Sequence, residues 1–280
     1  MLVRVNGTEL FCLRTGEGLP LLVMHGGLGF DHTYFRPWLD PLAERAEIIY
    51  YDHRGNGRSG RPTSWEGITH GTWVDDADAL RRHLGFERMV LFGHSYGGFL
   101  ALEYALRYPE RLAGLILCNT APSFDFPEAI LANAKSRGTP EQYDALVQGL
   151  SAPVPDDAAL ARFARTIAPL YFHNSGPELP HQVFAQIRFS APALNHAFGV
   201  CAPRFNVVGR LREIATPTLV IGGRDDFIMP PAFGAVRLAA GLPDRELVVF
   251  ERSGHFPFAE EAERFLEVVG TWLAQVEARV

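Results

Sequence analysis

The sequence predicts an α/β protein built on a doubly wound, mostly parallel sheet with helices on both faces. Three observations carry that expectation. Short, unbroken apolar runs bounded by turn residues recur along the chain, as strands buried on both faces do. Segments with helical periodicity separate those runs, and one of them, residues 96–108, stops at Pro109. Finally, a serine flanked by glycines stands where one such strand passes into a helix.

Residues 1–10 read as two short strands joined by Asn6-Gly7, the pair that best tolerates positive φ in a two-residue hairpin. Parallel strands are expected at 21–24, 48–52, 89–92 and 115–118, with helices at 34–45, 73–84 and 96–108 between them. After Pro217 the alternation resumes, with strands at 218–221 and 246–250 and helices near 232–240 and 260–278. Residues 122–205 break the rhythm. They carry helical pieces at 128–136, 141–150 and 157–167, separated by prolines and without a convincing strand. The expected organisation is therefore one core made of 1–121 and 206–280, with 122–205 inserted as a helical cap.

Composition narrows the function classes. A net charge of -6 leaves no basic footprint for the phosphates of nucleic acid. The longest apolar runs, such as 19–24 and 112–118, fall far short of the roughly 18 residues that span a membrane. Cys12, Cys118 and Cys201 are odd in number and widely spaced, which argues against a disulfide framework and against a zinc site. The N-terminal residues lack the apolar core of a signal peptide, so the expected location is the cytoplasm and the Asn6-Gly7-Thr8 sequon carries little weight. A small-molecule substrate is the partner that remains.

The sharpest chemical signal is Gly93-His94-Ser95-Tyr96-Gly97-Gly98, directly after a strand and before a helix. A G-x-S-x-G in that setting is a nucleophile elbow, a strained turn that raises the serine oxygen above the sheet edge and needs small neighbours two residues away on each side. Such a serine needs a base, and the base needs an orienting carboxylate; on the fold that carries this elbow they follow along the chain in the order Ser, Asp or Glu, His. His255 alone of the ten histidines follows a late strand in that order. Asp225 and Asp226 both follow the strand before it, and the residues alone leave the acid open between them.

The loop His25-Gly26-Gly27-Leu28-Gly29 after the strand at 21–24 is suited to supply backbone N–H groups to a developing oxyanion. We assign the backbone N–H groups of Gly27 and Tyr96 to that task, with Leu28 in reserve. His25 and His94 read as structural residues. Gly55-Asn56-Gly57-Arg58-Ser59-Gly60 matches the dinucleotide fingerprint in letters, yet Pro62 follows it where a helix must open, so no cofactor is expected. With Lys135 as the single lysine, Schiff-base chemistry is disfavoured.

Together these motifs resemble the α/β-hydrolase superfamily over nearly the whole chain. His25–Gly29, Asp52-x-Arg54-Gly55-x-Gly57-x-Ser59 and Gly93–Gly98, with His32 and Tyr34, are most similar to the proline iminopeptidase and tricorn-interacting aminopeptidase branch. The resemblance implies an eight-stranded sheet, a helical cap and hydrolysis through an acyl-enzyme. It also implies Asp226 as the acid, which stands three residues after Gly223 and four before Pro230. The triad expected is thus Ser95, Asp226 and His255, without metal.

One departure from that branch bears on the substrate. The aminopeptidases hold a free amine with carboxylates of the cap and, in some members, with a Glu after the catalytic Asp; here Phe227 follows Asp226. Residues 169–205 carry only Glu178, Arg188 and Arg204 as charged side chains and are rich in phenylalanine (172, 184, 189, 198, 205). A buried ammonium without a carboxylate partner costs several kcal/mol. The expected activity is therefore that of an esterase or lactonase on a small, apolar acyl substrate, an N-acyl homoserine lactone among them. An aminopeptidase is the second reading, and a non-catalytic ligand receptor on the same fold is a remote third.

Overall fold

The computed structural model describes residues 1–174 and 176–279. Its frame is one sheet of eight strands: β1 (Leu2–Val5), β2 (Thr8–Thr15), β3 (Pro20–Met24), β4 (Glu47–Tyr51), β5 (Met89–His94), β6 (Leu112–Cys118), β7 (Thr218–Gly223) and β8 (Arg245–Phe250). They lie in the order β1-β2-β4-β3-β5-β6-β7-β8. β1 and β2 pair antiparallel through Val5↔Thr8, with Asn6 at φ 45° and Gly7 at φ 71° making the two-residue turn between them. β2 also runs antiparallel to β4, and every pairing from β4 onward is parallel.

Strand side chains alternate between two buried layers, which explains why the strands read as continuous apolar runs. Met89 and Leu91 of β5 join one layer; Val90 and Phe92 join the other. The first layer is completed by α1 (His70–His83), which supplies Trp73 and Leu80, and by α2 (Tyr96–Arg107), which supplies Phe99 and Leu102. α1 opens on a capping box between Thr69 and Thr72 and closes on Arg81 and Arg82, cations that suit the negative end of the helix dipole.

Between β6 and β7 the described residues form five α-helices: α3 (Pro127–Arg137), α4 (Pro140–Ser151), α5 (Asp157–Ile167), α6 (Glu178–Phe184) and α7 (Ala191–His196). α4 starts on a Thr139/Gln142 capping box with Pro140 in the first turn. Asp156 caps α5, whose Leu160, Ala164 and Ile167 form the buried stripe. The chain leaves and re-enters the sheet layer at one point, where Ser123 bridges Asn206 and the Val207 N–H donates to the Pro122 carbonyl at 2.8 Å. α8 (Ala235–Gly241), α9 (Pro257–Glu260) and α10 (Ala262–Glu277) complete the α-helices of the described residues. α10 sends Phe265, Val269, Trp272 and Leu273 into the second layer.

Two helical expectations need correction. Residues 34–45 form two short 3-10 turns, His32–Phe35 and Asp40–Glu44, because Pro37 and Pro41 remove backbone donors that an α-helix would use. The expected helix at 260–278 is interrupted at Glu261, whose carboxylate instead accepts from the Arg252 N–H and the Ser253 hydroxyl. The Gly55–Gly60 stretch folds as turns, with the Gly55 N–H donating to the Gly60 carbonyl at 3.0 Å, and the next helix begins only at His70. Among the described residues no helix is long and apolar enough to cross a membrane.

Candidate active site

The carboxyl ends of β3, β5, β6, β7 and β8 lie along one edge of the parallel sheet, where open α/β sheets gather ligands. Each contributes a loop to the same place. Ser95 follows β5 and precedes α2 with φ 55° and ψ −124°, a conformation that costs a residue with a Cβ about 1–3 kcal/mol. The surroundings hold it there. Its N–H donates to the Cys118 carbonyl at 3.0 Å, and its own carbonyl accepts from the Gly98 N–H at 2.9 Å and the Thr120 hydroxyl at 2.7 Å.

The small neighbours of the elbow are required by close approach. A Cβ on Gly97 would run into the carbonyl oxygens of Met24 and His25, and one on Gly93 would lie 2.7 Å from the Ala101 Cβ. Gly26 is pressed onto the serine itself: a Cβ there would stand 2.6 Å from the Ser95 Cβ. The two loops therefore fit only with glycine at these positions.

His255 and Asp226 are both buried, at 3 % exposure each, and Ser95 is at 8 %. The Asp226 Oδ2 atom accepts from the His255 Nδ1–H at 2.8 Å and from the Asn119 amide at 2.8 Å. Its Oδ1 atom accepts the N–H groups of Ile228 (3.1 Å) and Met229 (3.0 Å). Asp225 turns the other way: its carboxylate meets His173, and its backbone carbonyl accepts from Arg137. Geometry thus separates two aspartates that the residues alone leave open, bringing Asp226 and not Asp225 to His255.

Gly27 faces the same cavity as Ser95 and His255. Tyr96 heads α2, where the first N–H groups of a helix lack intrahelical partners. Its phenol points elsewhere, to His70 and the Ala197 carbonyl. Leu28, the reserve donor, is fully buried and lies outside the cavity wall. His94 is directed away from Ser95: it bonds to the Tyr34 hydroxyl and the His255 carbonyl. His25 bonds to its own loop and to His53.

Ser95 and His255 open into a cavity of about 100 Å³. Its roof comes from α4 and α5 through Leu146, Phe163 and Ile167, and its sides include Phe30, Leu194, Ile228, Met229 and Phe256. No Asp, Glu, Lys or Arg lines it among the described residues. The apolar character has a different source from the one expected. Of the five phenylalanines in 169–205, only Phe198 reaches the wall; Phe205 stacks on Phe99 with ring centroids 4.4 Å apart, and Phe172 stacks on Phe256. Glu178 sits exposed at the start of α6, outside the wall.

Sequence reasoning missed Asn119. It stands just after β6 at φ 48°, and its amide bridges Asp226 to the Gly254 carbonyl (2.9 Å). An asparagine closing a strand on the serine's edge was the available signal, since asparagine enters the left-handed region more readily than most residues. It also missed Glu260, whose carboxylate accepts the N–H groups of Gly254 and His173, and which burial pushes up to about 7. Asp31, His32 and Asp52 lie close enough to share an ion. Their atoms are engaged instead: His32 and the Arg58 N–H on Asp52, Thr33 and the Arg188 N–H on Asp31.

A family model described as alpha/beta hydrolase fold matches residues 20–262. The chain belongs to the alpha/beta-hydrolase family. A proline iminopeptidase of Clostridium botulinum is 29% identical over 272 residues, covering 92% of this chain and 91% of the relative. The structure is similar to that of a thermophilic esterase from Thermogutta terrifontis, with TM-score 0.78, 28% identity and coverage of 99% and 97%. It is also similar to Est816, described as an N-acyl homoserine lactone degrading enzyme, with TM-score 0.72, 26% identity and coverage of 96% and 98%. Members with different substrates thus share this fold, so substrate has to be argued from the cavity.

Proposed function

We propose that this hydrolase is a serine esterase or lactonase acting on a small, neutral, apolar acyl group. The observation that carries the reading is the wall around Ser95 and His255, which is mostly hydrocarbon and, among the described residues, carries no carboxylate. A substrate with a free ammonium would lose its hydration there without gaining a counter-charge, at a cost of several kcal/mol. Glu178, the acid that could have served an aminopeptidase, is exposed and absent from that wall.

In this reading Ser95 Oγ attacks the acyl carbon while its proton passes to His255 Nε2. Asp226 holds the Nδ1–H, so that Nε2 is the free base and the imidazolium is stabilised once formed. The backbone N–H groups of Gly27 and Tyr96 receive the oxyanion. Collapse of the tetrahedral intermediate breaks the ester C–O bond, and His255 returns its proton to the leaving alkoxide. Water, deprotonated by His255, then releases the acid and regenerates Ser95. A lactone follows the same course with its alcohol tethered to the acyl chain. The helices between β6 and β7 act as a cap that excludes bulk water from the serine.

The cavity is smaller than the roughly 150 Å³ void that admits benzene, so it suits acyl groups of a few carbons. Catalytic efficiency should rise along a p-nitrophenyl ester series by up to about fourfold per methylene, the equivalent of about 0.8 kcal/mol, and then level off. A prolyl arylamide should be turned over more slowly than its best ester. The second reading, an aminopeptidase, is favoured by the Clostridium botulinum relative. It predicts the reverse: an absolute need for the free amine, with N-acetylation abolishing turnover.

A further inference from the structure

Buried polar groups beside the serine, two of which also border the cavity, form one chain of hydrogen bonds that the triad does not include. Its centre is Tyr34, 2 % exposed, with an oxygen that accepts the Gly26 N–H at 2.5 Å and meets His94 Nδ1 at 2.9 Å. The other nitrogen of His94, Nε2, faces the backbone carbonyl of His255 at 2.9 Å. A carbonyl only accepts, so Nε2 carries the proton; Nδ1 is then the acceptor, and the Tyr34 hydroxyl donates to it. Burial holds the His94 imidazole neutral by pushing its basicity well down, and His255 nearby acts in the same direction. Each member has one available role. The chain has a single hydrogen-bonding direction, from Gly26 N–H to Tyr34, from Tyr34 to His94, and from His94 to the His255 carbonyl.

The other end of the Gly26 residue is held as firmly. His25 Nε2 accepts the His53 N–H at 3.1 Å, so its Nδ1 carries the proton and donates to the Gly26 carbonyl at 3.0 Å. A trans peptide is planar, with C=O and N–H pointing in opposite directions. Fixing the Gly26 oxygen on His25 therefore fixes the direction of the Gly27 N–H, the proposed oxyanion donor. Gly26 meanwhile lies against Ser95, too close for any Cβ.

We propose that Tyr34 and His94 are positioning residues, which lock the loop bearing the oxyanion donor and the loop bearing the base into one register. The proposal rests on the hydrolase mechanism above. Neither residue is asked to exchange a proton with substrate; each acts through the backbone it holds. Displacing a donor or base by about 1 Å is enough to cost on the order of 100-fold in rate, and removal of one oxyanion donor costs about 100- to 1,000-fold.

Tyr34→Phe tests this with the least disturbance. The ring contacts with Phe35 (4.3 Å) and Phe256 (5.8 Å) are kept and only the oxygen is lost. We expect kcat on the best p-nitrophenyl ester to fall about 10- to 100-fold with KM within about threefold. Labelling of Ser95 by a fluorophosphonate should slow by a comparable factor, because the phosphonyl oxygen uses the same donors. All rates are normalised to folded protein by circular dichroism, well below the melting temperature. A variant that melts earlier but keeps kcat and labelling rate within about twofold overturns the proposal, as does a loss confined to KM. His94→Gln supplies the second arm: its amide can donate to the His255 carbonyl and accept from Tyr34, so it should retain more turnover than His94→Ala. Equal loss in the two removes His94 from the role. If the wild-type protein is not labelled at Ser95 at all, the mechanism itself fails and the positioning role falls with it.

Discussion

Replacing Asp226 by asparagine puts the proposed triad under its most direct test. Its carboxylate is surrounded by donors: His255 and Asn119 on Oδ2, the Ile228 and Met229 N–H groups on Oδ1. An asparagine has one oxygen to offer and must turn an NH2 toward one of these pairs. With the NH2 toward Ile228 and Met229, two buried backbone donors lose their acceptor, at about 1–3 kcal/mol each. The NH2 therefore faces His255, whose Nδ1 must become the acceptor and whose proton moves to Nε2. The nitrogen that should take the serine proton is then blocked. A loss of kcat of about 10,000-fold is expected, as for the equivalent change in a serine protease triad, equal to about 5.4 kcal/mol of transition-state stabilisation. Asp225→Asn should change kcat by no more than a few-fold, since among the described residues that carboxylate bonds to the exposed His173 and not to His255. The assay is steady-state hydrolysis of a short p-nitrophenyl ester by both variants, with active-site titration. An Asp226→Asn enzyme within about tenfold of wild type, or an Asp225→Asn enzyme equally impaired, would refute the assignment.

Three further outcomes follow from the same geometry. Ser95→Ala should fold, abolish fluorophosphonate labelling and lower turnover by several orders of magnitude; mass spectrometry that locates the label on another residue would contradict this. Gly97→Ala should be destabilised by more than a typical surface change, or fail to accumulate, because its Cβ meets the backbone of β3 and the following loop; an unchanged melting temperature would show that the elbow is less tightly held. Glu260, raised to about 7 chiefly by burial, makes folding take up a proton between the unfolded value of 4.5 and about 7. Its contribution is fully present below pH 4.5 and is lost as pH rises through 7. Glu260→Gln should flatten that part of the stability–pH curve by a few kcal/mol, and urea denaturation at pH 5 and pH 8 would expose an unaltered slope.

The core of this fold was legible because its signals are local. Met89–His94 followed by Ser95 and a helix shows the elbow within a dozen residues, since strand burial, glycine spacing and helix start are all properties of adjacent positions. The hairpin at Asn6-Gly7 is equally short-range. Residues 34–45 misled the periodicity reading because apolar spacing there serves the core, while Pro37 and Pro41 deny the hydrogen bonds a helix needs.

By itself, then, the amino-acid order carried the alternating sheet, the serine elbow and His255 as the proposed base, through residues close in sequence or through strand order, while the count of eight strands came with the family resemblance. The residues alone left open which of two adjacent aspartates meets that histidine; the resemblance favoured Asp226, and the tertiary structure brings it there. A loop can present either neighbour, and the choice fell to Asn119 and to the Ile228 and Met229 N–H groups. It also decided the character of the cavity: Leu146, Phe163 and Ile167 line it while most of the later phenylalanines pack elsewhere. Composition counts apolar side chains, whereas the direction each one faces is set by how α4 and α5 lie across the sheet edge, a long-range packing outcome that no local pattern encodes.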